Sequence, residues 1–143
     1  MDILKDQISL EKPYGGGDGP EDWVGGFDLA LNSINWGNGI RLIIHIANAP
    51  AHGIEWCGFS NHNEENHKLY EIVQKTIDKN IKIIAFQIGS YPNLSFKKFQ
   101  SEYIEKKGKL YKIFEFVTGL STREVTNSFK LKVIEAIKIA SIP

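Results

Sequence analysis

The first segment that could carry chemistry is a glycine-rich loop with three carboxylates. Four of the five residues at positions 15–19 are glycine, and Asp18, Glu21 and Asp22 lie in or just after this run. The loop lacks the lysine of a phosphate-binding P-loop and the preceding strand of a dinucleotide-binding fingerprint. Its carboxylates would repel a phosphate, but they are hard oxygen ligands that suit Mg²⁺. Two interpretations stay open: a cation site that uses Asp18, or a turn in which Asp18 caps the following helix.

The second segment begins with an apolar run and ends in polar groups that a binding site could use. Residues 41–47 are nearly all apolar and rich in branched side chains, which is typical of a strand buried on both faces. Asn48 follows at the carboxyl end of this strand, where it could accept a hydrogen bond from a metal-bound water. His52 comes next in a tight turn, whereas His45 lies inside the strand and is expected to be a satisfied core histidine.

One cysteine and three histidines recur at five-residue intervals, and zinc binds both residue types. Structural zinc sites usually place paired ligands about two to four residues apart, and this spacing is absent here. The alternative is a loop anchored by Trp56 and Phe59 with Cys57 as a small apolar filler, and the spacing favours it. The four regularly spaced residues are His52, Cys57, His62 and His67.

No residue stands out as a catalytic nucleophile, so we do not expect this chain to be an enzyme. Serine, histidine and aspartate are not arranged as a triad, and no nucleophile elbow is present. A hydrolase that uses His52 near Asp18 stays as an alternative, although it lacks a nucleophile.

Helical and strand patterns alternate along the chain and predict an α/β fold. This order implies a Rossmann-like parallel sheet with helices on both faces, whose ligands bind at the carboxyl ends of the strands. The predicted strands are 41–47, 81–88 and 110–117, and the predicted helices are 2–10, about 20–34, 64–79, one capped by Ser95, and one at the carboxyl terminus.

Composition narrows the class of protein. The chain has 143 residues, one cysteine, and 17 basic residues against 17 acidic ones. A chain without net charge is a poor nonspecific binder of nucleic acid or of anionic membranes. No apolar run is long enough to span a membrane, and the start lacks the features of a signal peptide. We therefore expect a cytoplasmic protein with no nucleic-acid partner and no membrane span.

Three strands are few for a parallel sheet, and the chain opens inside a predicted helix. Both features predict that residues 1–143 form a single, partial domain whose amino-terminal strands lie outside this sequence. The strand at 41–47 would then be an exposed apolar edge, and such edges pair with another chain. Self-association through this edge is an expected consequence.

Two motifs together resemble a von Willebrand factor type A domain. They are Gly-Gly-Gly-Asp-Gly-Pro-Glu-Asp at 15–22 and Ile-Ile-His-Ile-Ala-Asn-Ala-Pro-Ala-His-Gly at 43–53. The resemblance is to the intracellular protist subgroup that includes the domain accompanying alpha-type protein kinases. It implies a Rossmann-like sheet with a metal-ion-dependent adhesion site. Asp18 matches the second element of that site, and Asn48 replaces the third, which is usually Asp.

The first element of the adhesion site, Asp-x-Ser-x-Ser, does not occur in this sequence. The resemblance therefore implies a degenerate site that binds Mg²⁺ weakly or not at all, built on Asp18 and Asn48. It also implies a noncatalytic domain that binds a protein partner, to which we add Glu21 and His52 as binding residues. The alternative function is a module associated with an alpha-type protein kinase whose activity lies outside this chain.

Overall fold

A computed structural model describes residues 9–10, 12, 17–116 and 122–142. It confirms the predicted α/β class, with three strands between helices. Most of the predicted helix at 2–10 and the loop at 118–121 fall outside the described residues. The elements are α1 (Trp23–Ser33), β1 (Leu42–Ala47), α2 (Ile54–Cys57), α3 (Asn66–Asp78), β2 (Lys82–Ile88), α4 (Asn93–Glu105), β3 (Tyr111–Phe116) and α5 (Thr122–Ala140).

The three strands form a parallel sheet in the order β1-β2-β3. Ile44 of β1 lies opposite Ile84 of β2, and Phe86 of β2 lies opposite Phe114 of β3. Because the strands are parallel, their carboxyl ends meet at one edge of the sheet. The loops after β1 and β2 and the loop before α1 can therefore form a common surface there.

Helices cover both faces of the sheet, but unequally. On one face, helices α1, α2, α3 and α4 enclose the larger core cluster together with alternate residues of the strands. On the other face, α5 packs against Phe86, Phe114 and Phe116 through Phe129 and Val133. The larger cluster includes Phe27, Leu31, Trp56, Leu69, Val73, Ile83, Ala85, Phe96 and Phe99.

Strand β1 is less covered than its apolar sequence predicts. Its residues Ile44 and Ile46 are 40% and 52% exposed, because they point to the face of the sheet that carries only α5. Within the part of the chain that the structure describes, no strand pairs with the outer edge of β1. Every helix of the described residues falls short of the combined length and hydrophobicity that a bilayer crossing requires.

Candidate functional site

The glycine-rich loop is docked beside the carboxyl end of β1 by backbone hydrogen bonds. The Glu21 N–H donates to the Pro50 carbonyl at 2.8 Å, and Glu21 forms an isolated parallel bridge with Ala51. The side chain of Asp22 caps α1 by accepting from the Gly25 N–H at 2.6 Å. The expectation that Asp18 caps this helix is therefore wrong, and its carboxylate is left to face the loop that follows β1.

A short helix that the sequence pattern did not predict, α2, anchors the next part of the site. Its Trp56 is fully buried and donates from Nε1 to the Asn66 carbonyl at 3.0 Å. Gly53 precedes α2 with a φ of +96°, and a Cβ there would approach Asn66 Oδ1 to 2.4 Å. Position 53 therefore requires glycine, and this holds the turn after His52 against the start of α3.

Ser95 connects the loop after β1 to α4 by two hydrogen bonds. Its hydroxyl accepts from the Ala51 N–H at 2.9 Å and donates to the Trp56 carbonyl at 2.7 Å. The side chain is fully buried in the first turn of α4, which begins at Asn93. The prediction that Ser95 caps this helix is wrong, because its hydroxyl is used to fix the loop instead.

The loop between α2 and α3 brings a second histidine to the first. The Gly53 N–H donates to the Asn61 carbonyl at 2.7 Å, and Asn63 Oδ1 accepts from the Ile54 N–H at 3.0 Å. These bonds fold the loop back over residue 52. As a result, the rings of His52 and His62 lie 4.5 Å apart, centre to centre.

Three side chains converge on Asp18. Its Oδ2 atom lies 3.5 Å from His52 Nε2 and 3.7 Å from His62 Nε2, and it accepts a 2.8 Å hydrogen bond from Asn61 Nδ2. His52 is largely covered, with 12% of its side chain exposed, whereas His62 is 52% exposed. This cluster, formed by Asp18, His52, Asn61 and His62, is therefore accessible to solvent on its His62 side.

Each histidine of the cluster has a carboxylate behind it. His52 Nδ1 lies 3.1 Å from Glu65 Oε2, and His62 Nδ1 lies 3.2 Å from Glu64 Oε1. The pKa of Glu64 is lowered, first by a hydrogen bond from its own backbone N–H and then by the His62 contact. When each Nδ1 carries its proton toward a carboxylate, both Nε2 atoms are left as acceptors that face Asp18.

The other two residues expected at the site, Asn48 and Glu21, line a groove at the same end of the sheet. Both are exposed, and the groove of about 490 Å³ lies between α1 and β1. No hydrogen bond joins Asn48 to Asp18, although both residues are described. The structure thus brings Asp18 to His52 and places Asn48 with Glu21.

Of the regularly spaced histidines and cysteine, the structure gathers only His52 and His62. His67 is exposed on α3, and Cys57 donates from Sγ to the Phe59 carbonyl at 3.0 Å. The expected loop anchors differ from each other, since Trp56 is fully buried but Phe59 is 43% exposed. Asn61, Glu64 and Glu65 carried no sequence signal, because they reach the cluster only through the fold of their loop.

His45 lies inside β1 but is only half-buried, and its ring is not satisfied as a core histidine is expected to be. Its ring makes edge contacts with Trp23 and Phe27 at 4.3 and 4.9 Å between ring centres. Its Nδ1 has no hydrogen-bond partner among the described residues. Burial lowers the pKa of His45 to about 3, so this ring is neutral at ordinary pH.

The comparisons with known proteins connect the chain to a kinase. It is 35% identical over 107 residues to the alpha-protein kinase vwkA of Dictyostelium discoideum. The match covers 71% of this chain but only 16% of the kinase, so the chain spans about one sixth of that protein's length. No family model matches the chain.

Proposed function

We propose that this chain is a noncatalytic interaction domain of von Willebrand type that accompanies an alpha-type protein kinase and binds a protein partner. The observation that carries the proposal is the match to vwkA, which takes in most of this chain and a small part of the kinase. A region of that size is what an accessory domain contributes to a multidomain enzyme. The parallel α/β sheet agrees with this interpretation.

The described contacts of His52 are with two carboxylates and a second imidazole. Its two ring nitrogens face Glu65 and Asp18, and its ring packs beside His62. No hydroxyl or thiol hydrogen-bonds to its ring among the described residues, so the hydrolase alternative gains no nucleophile. A histidine base requires a nucleophile within about 2.6–3.2 Å to activate it.

The surroundings of Asp18 support weak Mg²⁺ binding. Mg²⁺ prefers six oxygen ligands, but the neighbours of Asp18 Oδ2 are two imidazoles and the N–H donor of Asn61. These neighbours support the proposal that an adhesion site of the type that the resemblance implies would be degenerate in this chain. Partner binding would depend instead on the exposed polar groups of this loop surface, which include Glu21, Asn48 and His62.

Binding to a kinase domain tests the proposal directly. The chain is immobilised, and the catalytic domain of an alpha-type kinase from the same cells is passed over it in biolayer interferometry. We expect saturable binding that is weakened at least about tenfold by a triple substitution, Glu21→Ala, Asn48→Ala and His62→Asn. Lys106→Ala is the matched control, because Lys106 is exposed at the opposite end of α4.

Two results would contradict the proposal. One is absence of binding by the wild-type chain at concentrations up to about 100 μM, which corresponds to a binding free energy weaker than about 5.5 kcal/mol in magnitude. The other is turnover of ATP or a generic ester that His52→Ala abolishes, because that would make the chain an enzyme.

A further inference from the structure

We propose that Asp18, His52 and His62 form a binding site for a divalent metal of the zinc class. This inference goes beyond the proposed function, because it depends on neither a kinase nor a protein partner. It also differs from a degenerate magnesium site in its ligands, since two of the three are imidazole nitrogens.

The spacing of the candidate ligands fits a single ion. Each of the three residues offers one ligand atom, and the three atoms lie within 4.8 Å of one another. The distances from Asp18 Oδ2 to the two Nε2 atoms are 3.5 and 3.7 Å. Two ligands on a tetrahedral zinc ion, with bonds of about 2.0–2.1 Å, are about 3.3–3.4 Å apart. The two distances from Asp18 Oδ2 therefore exceed this separation by only tenths of an ångström.

The groups behind the histidines are those that metal-binding imidazoles use. A histidine that ligates a metal almost always donates its other ring N–H to a carboxylate, a carbonyl or a water. Here both Nδ1 atoms face carboxylates, Glu65 at 3.1 Å and Glu64 at 3.2 Å. Each carboxylate lies at Nδ1 and Asp18 lies near Nε2, so the tautomer that donates from Nδ1 would leave both Nε2 atoms oriented to bind a metal.

The donor set selects the class of metal. Two imidazole nitrogens and one carboxylate oxygen suit Zn²⁺, Co²⁺, Ni²⁺ and Cu²⁺, whereas Mg²⁺ and Ca²⁺ prefer oxygen ligands throughout. Three protein ligands leave a fourth position for water or another ligand. The exposure of His62 places that position toward solvent, so an ion bound here would be accessible from outside the protein.

One competing arrangement uses the same histidine. Asp22, His52 and Glu65 also bring three candidate ligand atoms within 4.8 Å of one another. Asp22, however, already caps α1 through its 2.6 Å hydrogen bond to the Gly25 N–H. A metal there would compete with the cap and would take Glu65 from its place behind His52. We therefore assign the ion to the Asp18 side of the ring.

Metal binding by the full chain tests this inference. Chain that has been freed of metal with a chelator is titrated with Zn²⁺ against a fluorescent zinc indicator, and Co²⁺ provides a spectroscopic probe. We expect one equivalent of Zn²⁺ to bind in the presence of millimolar Mg²⁺. Co²⁺ should give the visible absorption bands of a four-coordinate site, and Zn²⁺ should displace it.

A pair of substitutions tests the assignment of the ligands. His62 has a φ of +42°, which asparagine tolerates better than alanine does, so His62→Asn removes the ligand with little backbone strain. We expect His62→Asn to weaken Zn²⁺ binding at least about tenfold. Loss of a residue that only hydrogen-bonds to a ligand already costs about tenfold or more, and His62 is itself a proposed ligand. Asp18→Asn should weaken binding as well. His67→Asn is the matched control, because His67 is an exposed histidine outside the cluster.

Three outcomes would overturn the inference. They are absence of stoichiometric Zn²⁺ binding by the wild-type chain, displacement of Zn²⁺ by millimolar Mg²⁺, and equal losses from His62→Asn and His67→Asn. Far-UV circular dichroism confirms that each variant is folded. Kinase binding is measured in a separate assay, so failure of this inference is distinguishable from failure of the proposed function.

Discussion

His52 Nδ1 lies 3.1 Å from Glu65 Oε2, and this contact determines which ring nitrogen faces the rest of the cluster. Glu65 comes just before α3, 13 residues after His52. The pair therefore links the loop after β1 to the start of the next helix. The effect of Glu65 on the His52 ring can therefore be tested without changing a proposed metal ligand.

Glu65→Gln should weaken Zn²⁺ binding by about tenfold without removing a ligand, because a neutral amide makes a weaker hydrogen bond to Nδ1 and orients the ring less firmly. The measurement is the same indicator titration. Glu71→Gln is the matched control, since Glu71 is an exposed carboxylate on α3, outside the cluster. Equal affinities of the Glu65→Gln variant and the wild-type chain would show that Glu65 does not support the site.

His45 should make the stability of the protein depend on pH. Its folded-state pKa of about 3 lies below the ordinary value of 6.5, so the unfolded chain binds a proton more readily than the folded one. The stabilisation is complete above about pH 6.5 and is lost as the pH falls from 6.5 toward 3. The expected slope is about 1.4 kcal/mol per pH unit within this range.

Urea unfolding of the wild-type chain and of His45→Phe, at several pH values between 4.5 and 7.5, measures this effect. Phenylalanine keeps the contacts with Trp23 and Phe27 but cannot titrate. As the pH falls, the free energy of unfolding of the wild-type chain should decrease more than that of His45→Phe. A difference that stays constant with pH would contradict the burial of a neutral imidazole.

Two buried tyrosines with different hydroxyl environments should respond in opposite directions to loss of the hydroxyl. Tyr103 donates from Oη to the Ile81 carbonyl at 2.5 Å, whereas the buried Oη of Tyr111 has no partner among the described residues. Burial raises the pKa of Tyr111 far above its usual range. Tyr103→Phe should lower the free energy of unfolding by about 1–2 kcal/mol, and Tyr111→Phe should raise it by about 1 kcal/mol.

Each tyrosine variant is the control for the other, because their rings lie 5.8 Å apart in the same core. Urea unfolding at neutral pH gives both values. A loss of stability in Tyr111→Phe that equals the loss in Tyr103→Phe would mean that the Tyr111 hydroxyl has a hydrogen-bond partner.

The elements of this fold were predictable because their signals are local. The branched, apolar runs that became β1 and β2 and the helical spacing of Leu69, Ile72 and Val73 in α3 depend only on nearby residues. Helix α2 escaped prediction because four residues are too few to show a period. Its position depends on the burial of Trp56 instead.

The cluster was predictable only in part, because it is made by loops. The sequence identifies Asp18 and His52 as candidates, but it does not show that His62 joins them. That depends on hydrogen bonds between distant backbone groups, such as the one from Gly53 to Asn61. The sequence likewise does not show whether Asp18 or Asp22, four positions apart, caps α1, because both are acceptable cap residues.

The exposed strand β1 should pair with a second copy of the chain. Self-association through β1 would cover Ile44 and Ile46, which are 40% and 52% exposed, and would pair the outer edge of the strand. We therefore expect the wild-type chain to show concentration-dependent association in sedimentation velocity. Ile46→Lys should abolish it, because a charge cannot be buried in an apolar contact without a large penalty.

Leu131→Lys is the matched control for this strand, since Leu131 is an apolar side chain of α5 that is 68% exposed. If association occurs through β1, the Leu131 variant should associate as the wild-type chain does. Loss of association in Leu131→Lys but not in Ile46→Lys would show that the interface lies on α5 and not on β1. A wild-type chain that stays monomeric at all concentrations would contradict the expectation, because it would show that the uncovered face of β1 does not drive pairing between copies.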